Sequence, residues 1–161
     1  PVIINFDAHL DCRPMHDGPS SGTPLFRLLS EFKKDFDLFE VGLQSVCNSR
    51  YYVEWAQSKG ARVFFMDELK KAMSALKSLK KGSRPVFVSV DLDVFSSSLG
   101  SGTSNNWPFG MSSEQFLPLF DLVLEMKPKV VPNLDRDQIT TKLASSIIHR
   151  FIEGTHDQLW K

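Results

Sequence analysis

The chain has 161 residues, 42% of them hydrophobic and 24% charged, with 19 basic residues balancing 19 acidic ones. That composition describes one ordinary soluble domain, with no apolar run near the ~20 residues of a bilayer span and no basic-then-apolar leader at its start. Zero net charge with scattered lysines leaves no basic stripe for a phosphate backbone, so neither nucleic acid nor a membrane is an expected partner.

Branched and aromatic runs predict strands at Val2–Phe6, Leu38–Leu43, Ala61–Met66, Val86–Val90 and, more weakly, Lys129–Val131. Helical spacing falls between and after them, at Pro24–Lys34, Ser49–Lys59, Asp67–Lys81, Ser112–Lys127 and Asp137–Glu153. Thr23, Ser49 and Asp67 stand where side-chain caps belong, Pro24 suits a first helical position, and Gly60 and Gly82 follow lysine-ended helices. The segment Ser96–Met111, rich in Ser, Gly and Asn, reads as a long functional loop. Strand alternating with helix predicts an α/β fold with a mainly parallel sheet. Cys12 and Cys47 are too few for a disulfide framework and suit a reducing, cytoplasmic setting.

Two strands run into acids: Ile3-Ile4-Asn5-Phe6 into Asp7-Ala8-His9-Leu10-Asp11, and Val86-Phe87-Val88-Ser89-Val90 into Asp91-Leu92-Asp93. The carboxyl ends of parallel strands are where α/β sheets build sites. Residues two apart in extended chain share a face, so Asp7 with His9, and Asp91 with Asp93, can aim at one point. Crowded carboxylates that lose hydration cost several kcal/mol per unpaired ion, and Arg13 alone cannot offset four of them. A divalent cation, or a pair, is one answer, with oxygen donors and one imidazole favouring Mn²⁺ over zinc. Plain helix caps or solvated turn acids are the other.

These two signatures, some eighty residues apart, resemble the metal-binding motifs of the ureohydrolase superfamily of arginases, agmatinases and formimidoylglutamases. Asn5-Phe6-Asp7-Ala8-His9-Leu10-Asp11 with Arg13-Pro14, Ser21-Gly22-Thr23-Pro24, Gly42-Leu43-Gln44 and Pro108-Phe109-Gly110 are most similar to the formimidoylglutamase branch. The resemblance implies a three-layer α/β/α arginase-like fold, here an incomplete portion of it, and two Mn²⁺ ions sharing a hydroxide. By position, Asp7 and Asp91 would bridge the metals, His9 and Asp93 would complete one ion, and Asp11 would serve the other. The implied substrate is a small amidine or guanidine: N-formimino-L-glutamate would give L-glutamate and formamide, while arginase or agmatinase chemistry would give urea.

Arg13 would hold a substrate carboxylate, or else only neutralise the acids; Ser21 and Thr103 are polar candidates beside it. Asp93 and His16 are the catalytic candidates, His16 as a shuttle to the leaving group or merely a solvated loop residue. Three departures from the family's pattern stand out. No Gly-Gly-Asp-His-like loop supplies a further metal-binding His, Ser96-Ser97 and Gly100-Ser101-Gly102-Thr103 replace a proline-rich loop, and no acid sits on the late strand before Pro132. The expectation is therefore a single ureohydrolase-like domain lacking its N-terminal strands, with a break near 131–132. An inactive scaffold and a Mg²⁺-binding phosphoacceptor module are the competing readings, and a homo-oligomer is left open.

Overall fold

A computed structural model describes residues 1–16, 18–32, 35–79, 84–105, 107–132 and 146–153, with 129–132 as backbone. The strands are β1 (Val2–Phe6), β2 (Asp37–Leu43), β3 (Arg62–Phe65), β4 (Val86–Val90) and β5 (Lys129–Pro132). The helices α1 (Pro24–Glu31), α2 (Arg50–Ser58), α3 (Leu69–Lys77) and α4 (Ser113–Leu124) connect them, with 3₁₀ turns at Met66–Glu68 and Leu92–Val94. Residues 146–153 are helical. The five strands form one parallel sheet in the order β3-β2-β1-β4-β5, so the first strand is the central one.

Alternation along the strands divides the core into two layers. Val2, Ile4 and Phe6 of β1 join Phe39, Val41 and the β4 valines against Ala72 and Leu76 of α3 and the stripe Phe116, Leu119, Phe120 and Val123 of α4. On the other face Ile3, Leu38, Leu43 and Val63 pack with Leu25 and Leu29 of α1 and Val53 and Ala56 of α2. The result is the expected three-layer α/β/α arrangement. Phe116 anchors the first layer, its ring 5.2 Å from Phe6, 4.8 Å from Phe95 and 4.9 Å from Phe120. Each such buried side chain contributes about 1.5–3 kcal/mol.

Local details depart from the sequence reading. Helix α1 ends at Glu31, short of the predicted Lys34, because Phe32 is already extended, and α3 ends at Lys77, short of the predicted Lys81, with Ser78 at its C-cap. Residues 33–34, 80–83 with Gly82, and 137–145 of the last predicted helix lie outside the described residues. Thr23 precedes α1 but does not cap it with its side chain. Its hydroxyl donates to Ser20 O and accepts from Ser20 N–H, both at 2.9 Å, closing the preceding turn instead. Asp67 falls inside a 3₁₀ turn, where Glu68 rather than Asp67 accepts from the Phe65 N–H. Ser49 stands at the N-cap position of α2 without a side-chain bond.

The strongest cap is reciprocal: Ser112 Oγ accepts from Gln115 N–H, and Gln115 Oε1 accepts from Ser112 N–H. Gly42 (φ +103°) marks a register shift between β2 and β3, and a Cβ there would meet Val94 Cγ2 at 2.5 Å. Only glycine serves both the left-handed backbone and that approach. Among the described residues no helix is long and apolar enough to cross a membrane.

Candidate metal centre

The register of the sheet brings the two acidic segments together. β1 and β4 are parallel neighbours paired Phe6↔Val90, so Asp7 and Asp91 step off the sheet side by side. The Asp91 N–H donates to Phe6 O at 2.8 Å and the Asp7 N–H to Val41 O at 3.1 Å, which carries the ladder to the edge of the site. Beyond the strand ends extended alternation gives way to the 3₁₀ turn Leu92–Val94, which carries Asp93, and His9 Nδ1 lies 2.8 Å from Asp93 Oδ2 and 3.8 Å from Asp7 Oδ1. Asp7, His9 and Asp93 each offer a ligand atom, all within 4.8 Å of one another.

Backbone bonds hold these side chains in place. Asp7 Oδ1 accepts from the His9 N–H at 2.7 Å, Asp93 Oδ1 from the Ala8 N–H at 3.3 Å, and Asp91 Oδ1 from the Asp93 N–H at 3.0 Å. Asn48, on the turn after β2, clamps the loop from outside. Its Oδ1 accepts from the Leu10 N–H at 2.7 Å, and its Nδ2 donates to Ala8 O and Gln44 O, each at 2.8 Å. The two peptides flanking His9 are thus tied to α2's approach. Trp107 sets its ring 5.8 Å from that of His9.

A cavity of about 520 Å³ opens over this cluster. Asp7, His9, Asp11, Arg13, Ser21, Asp91, Asp93 and Thr103 all line it, so eight of the nine residues singled out by sequence share one space. His16 is exposed and is not among the lining residues, which removes the geometric basis for a shuttle there. Asp11 and Asp91 line the cavity outside the three-donor group. Strand β5, Lys129–Pro132, carries no acid, in keeping with the departure from the family's pattern read in the sequence. Asn48, Tyr52 and Asn105 also line the cavity and carry no motif that spacing reveals.

The electrostatics follow from crowding. Burial, then the charges of Asp93, Asp91 and Asp11, pushes Asp7 well above the ordinary carboxylate range. Burial pushes Asp11 up to about 6, against the partial relief of His9. The hydrogen bond to Asp93 raises His9. Such a donor set, rich in oxygen and short of positive charge, fits a hard to borderline divalent cation. Cys12 and Cys47 border the same space, but burial lifts their thiols to about 12 and about 11, so neither supplies a thiolate. The Arg13 guanidinium, which also lines the cavity, lies against Gly22, where a Cβ would come within 2.0 Å of Nη2.

Residues 1–153 match the arginase family. A formimidoylglutamase of Halalkalibacterium halodurans is 29% identical over 167 residues, covering 94% of this chain and 52% of that protein. The proclavaminate amidinohydrolase of Streptomyces clavuligerus is 30% identical over 159 residues, covering 91% of this chain and 51% of that protein. Among solved structures, the formimidoylglutamase of Bacillus subtilis superposes with a TM-score of 0.81 at 25% identity, over 96% of this chain and 53% of that one. A Trypanosoma cruzi formiminoglutamase solved with Mn²⁺ gives 0.77 at 25% identity, over 94% and 55%. The chain spans about half the length of the curated relatives it matches. A parallel sheet that delivers Asp-x-His-x-Asp and Asp-x-Asp to one cavity, together with this match, makes the chain a member of the arginase family, most like its formimidoylglutamases.

Proposed function

We propose that the protein carrying this chain is a manganese-dependent amidine hydrolase that converts N-formimino-L-glutamate and water to L-glutamate and formamide. The observation that carries the reading is the convergence of Asp7, His9 and Asp93 beside Asp11 and Asp91 in one cavity. Asp7, His9 and Asp93, with Asp91 and Asp11 beside them, would hold Mn²⁺, two ions in the complete site. Bound there, the metal supplies an acidified water as nucleophile and positive charge for the developing tetrahedral carbon.

The chain's own residues supply the rest. The Arg13 guanidinium, which lines the same cavity as the acids, suits a bidentate bond to one substrate carboxylate, with Ser21 and Thr103 as hydroxyl partners beside it. That anchor directs the formimino carbon toward the acids. Asp93, whose Oδ2 lies 2.8 Å from His9 Nδ1, is the carboxylate we assign to pass a proton to the leaving nitrogen. Water would add to the formimino carbon first, and the C–N bond to glutamate would then break, the water's two protons ending one on the formamide nitrogen and one, through Asp93, on the departing glutamate amine.

Guanidine hydrolysis is the second reading, favoured by the 30% identity to an amidinohydrolase. The full-length protein loaded with Mn²⁺ should release formamide from N-formimino-L-glutamate faster than urea from arginine or agmatine. Faster urea release refutes the assignment, and no turnover of any of the three with metal bound leaves the inactive scaffold.

A further inference from the structure

Directly beneath the acids lies a buried carboxyl group that the site itself does not use. Glu40 sits in the middle of β2, fully buried, in a strand whose other residues are apolar save Asp37 at its start. Its register partner across the central strand pair is Asn5, two residues before Asp7. Asn5 Nδ2 donates to Glu40 Oε2 at 3.0 Å and to Asp7 Oδ2 at 3.4 Å, so the two amide hydrogens are divided between the buried acid and the candidate ligand. Among the described residues Glu40 Oε1 has no hydrogen-bond partner. A half-satisfied acid in a dry strand costs stability, and an apolar side chain of the same volume packs there without that cost. What an acceptor at this place does serve is the Asn5 amide, 3.0 Å away.

We propose that Glu40 is a positioning residue for the metal centre, acting through Asn5 to fix the Asp7 carboxylate before a cation arrives. With Oδ1 held by the His9 N–H and Oδ2 by Asn5, Asp7 is fastened at both oxygens. Asn5 can present its second hydrogen to Asp7 only while its amide plane is set, and Glu40 Oε2 sets that plane. Burial pushes Glu40 well above the ordinary carboxylate range, and the role assigned to it needs only an oxygen acceptor for the Asn5 amide. Partners of this kind behind metal ligands typically change metal affinity roughly 10- to 100-fold when removed.

This inference rests on Asp7 being a metal ligand, and the test separates the two. Mn²⁺ affinity is measured by calorimetric titration of the full-length protein, with metal-free melting temperature recorded alongside. Glu40→Gln keeps an oxygen acceptor and should retain wild-type affinity. Glu40→Leu should weaken Mn²⁺ binding roughly 10- to 100-fold while the metal-free melting temperature stays near wild type, a split that a merely structural role would not produce. Asn5→Ala should show the same loss, and adding Glu40→Leu to it should cost nothing more, because the two act in series. Wild-type affinity in Glu40→Leu, or independent losses that add, overturns the inference while leaving the metal centre intact. If Glu40→Leu does not fold, wild-type affinity in Asn5→Ala overturns it equally. A wild-type protein that binds no Mn²⁺ overturns the metal-centre reading, and the inference with it.

Discussion

Replacing Asn48 by Ala tests how the ligand loop is held. The side chain makes three hydrogen bonds to main chain: from Leu10 N–H to Oδ1, and from Nδ2 to Ala8 O and Gln44 O. At about 1 kcal/mol net for each, the loss is about 3 kcal/mol. Ala8 O keeps a bond from the Gln44 N–H at 2.9 Å, so the Leu10 N–H bears most of the cost. In a domain of 150–250 residues each kcal/mol is worth ~2–4 °C, so melting should fall by about 6–12 °C. Urea unfolding of the metal-free full-length protein reads the energy directly, and an unchanged m-value would locate the effect in the folded state. Because His9 lies between the two clamped peptides, Mn²⁺ affinity should fall with stability. Asn48→Asp should be no better, since it sets a carboxylate oxygen against two carbonyls. A loss of under about 0.5 kcal/mol in Asn48→Ala, the scale of an ordinary surface change, would refute the clamp.

Gly22→Ala should displace the Arg13 guanidinium, a flexible side-chain end, rather than the backbone, because its Cβ would lie 2.0 Å from Nη2. Steady-state kinetics should show KM for N-formimino-L-glutamate raised roughly 10- to 100-fold with kcat held, the worth of one charge-assisted bond, and an unchanged KM would deny Arg13 its substrate contact. Asp91→Asn should abolish turnover with the circular dichroism spectrum preserved, since it removes charge from the centre while conserving volume; activity within tenfold of wild type would contradict this. Asp11 is pushed up to about 6 by burial, so the folded chain holds a proton there that the unfolded chain releases near the ordinary 3.8. Its stabilising contribution is therefore full below that value and is lost as pH rises through about 6. Relative to Asp11→Asn, the metal-free wild type should lose stability across that window in urea titrations, while Mn²⁺ affinity climbs as its ligands shed protons. A wild type that gains on the variant over the same range would reverse the sign.

The acids were legible because two rules reach them without coordinates: period-two side-chain alternation, and the placement of α/β sites at strand ends. Asp7, His9, Asp91 and Asp93 all stand at strand ends, but alternation stops at Phe6 and Val90: Asp93 falls in the 3₁₀ turn Leu92–Val94, which the Asp91 side chain caps. Asn48 obeys neither, since its partners Ala8 and Leu10 lie far off in sequence and are bonded through their main chain, which carries no side-chain signature. Glu40 does carry a signal, an acid amid the apolar residues of a covered strand, but only the β1–β2 register identifies Asn5 as its partner. Thr23 shows why caps are ambiguous: the same hydroxyl can serve the helix ahead or the turn behind, and the loop's path decided for the turn. Ser112-Ser113-Glu114-Gln115, by contrast, spells its reciprocal cap in sequence.

The central placement of β1 among the described strands sets the order in which this part of the sheet can close. β1 and β2 are joined by one helical connection, but β1 must wait for β4, which begins only at Val86. The entropy of closing so long a loop is repaid only once Phe6 and Val90 pair, so local helices and the β1–β2–β3 half can form ahead of that closure. The His9–Asp93 contact exists only afterwards. On the ribosome, His9 therefore emerges long before it has a counterpart, and competence to hold a cation arrives as a late folding event. Metal uptake during refolding should lag behind the helical signal, reporting the moment at which the middle of the sheet closes.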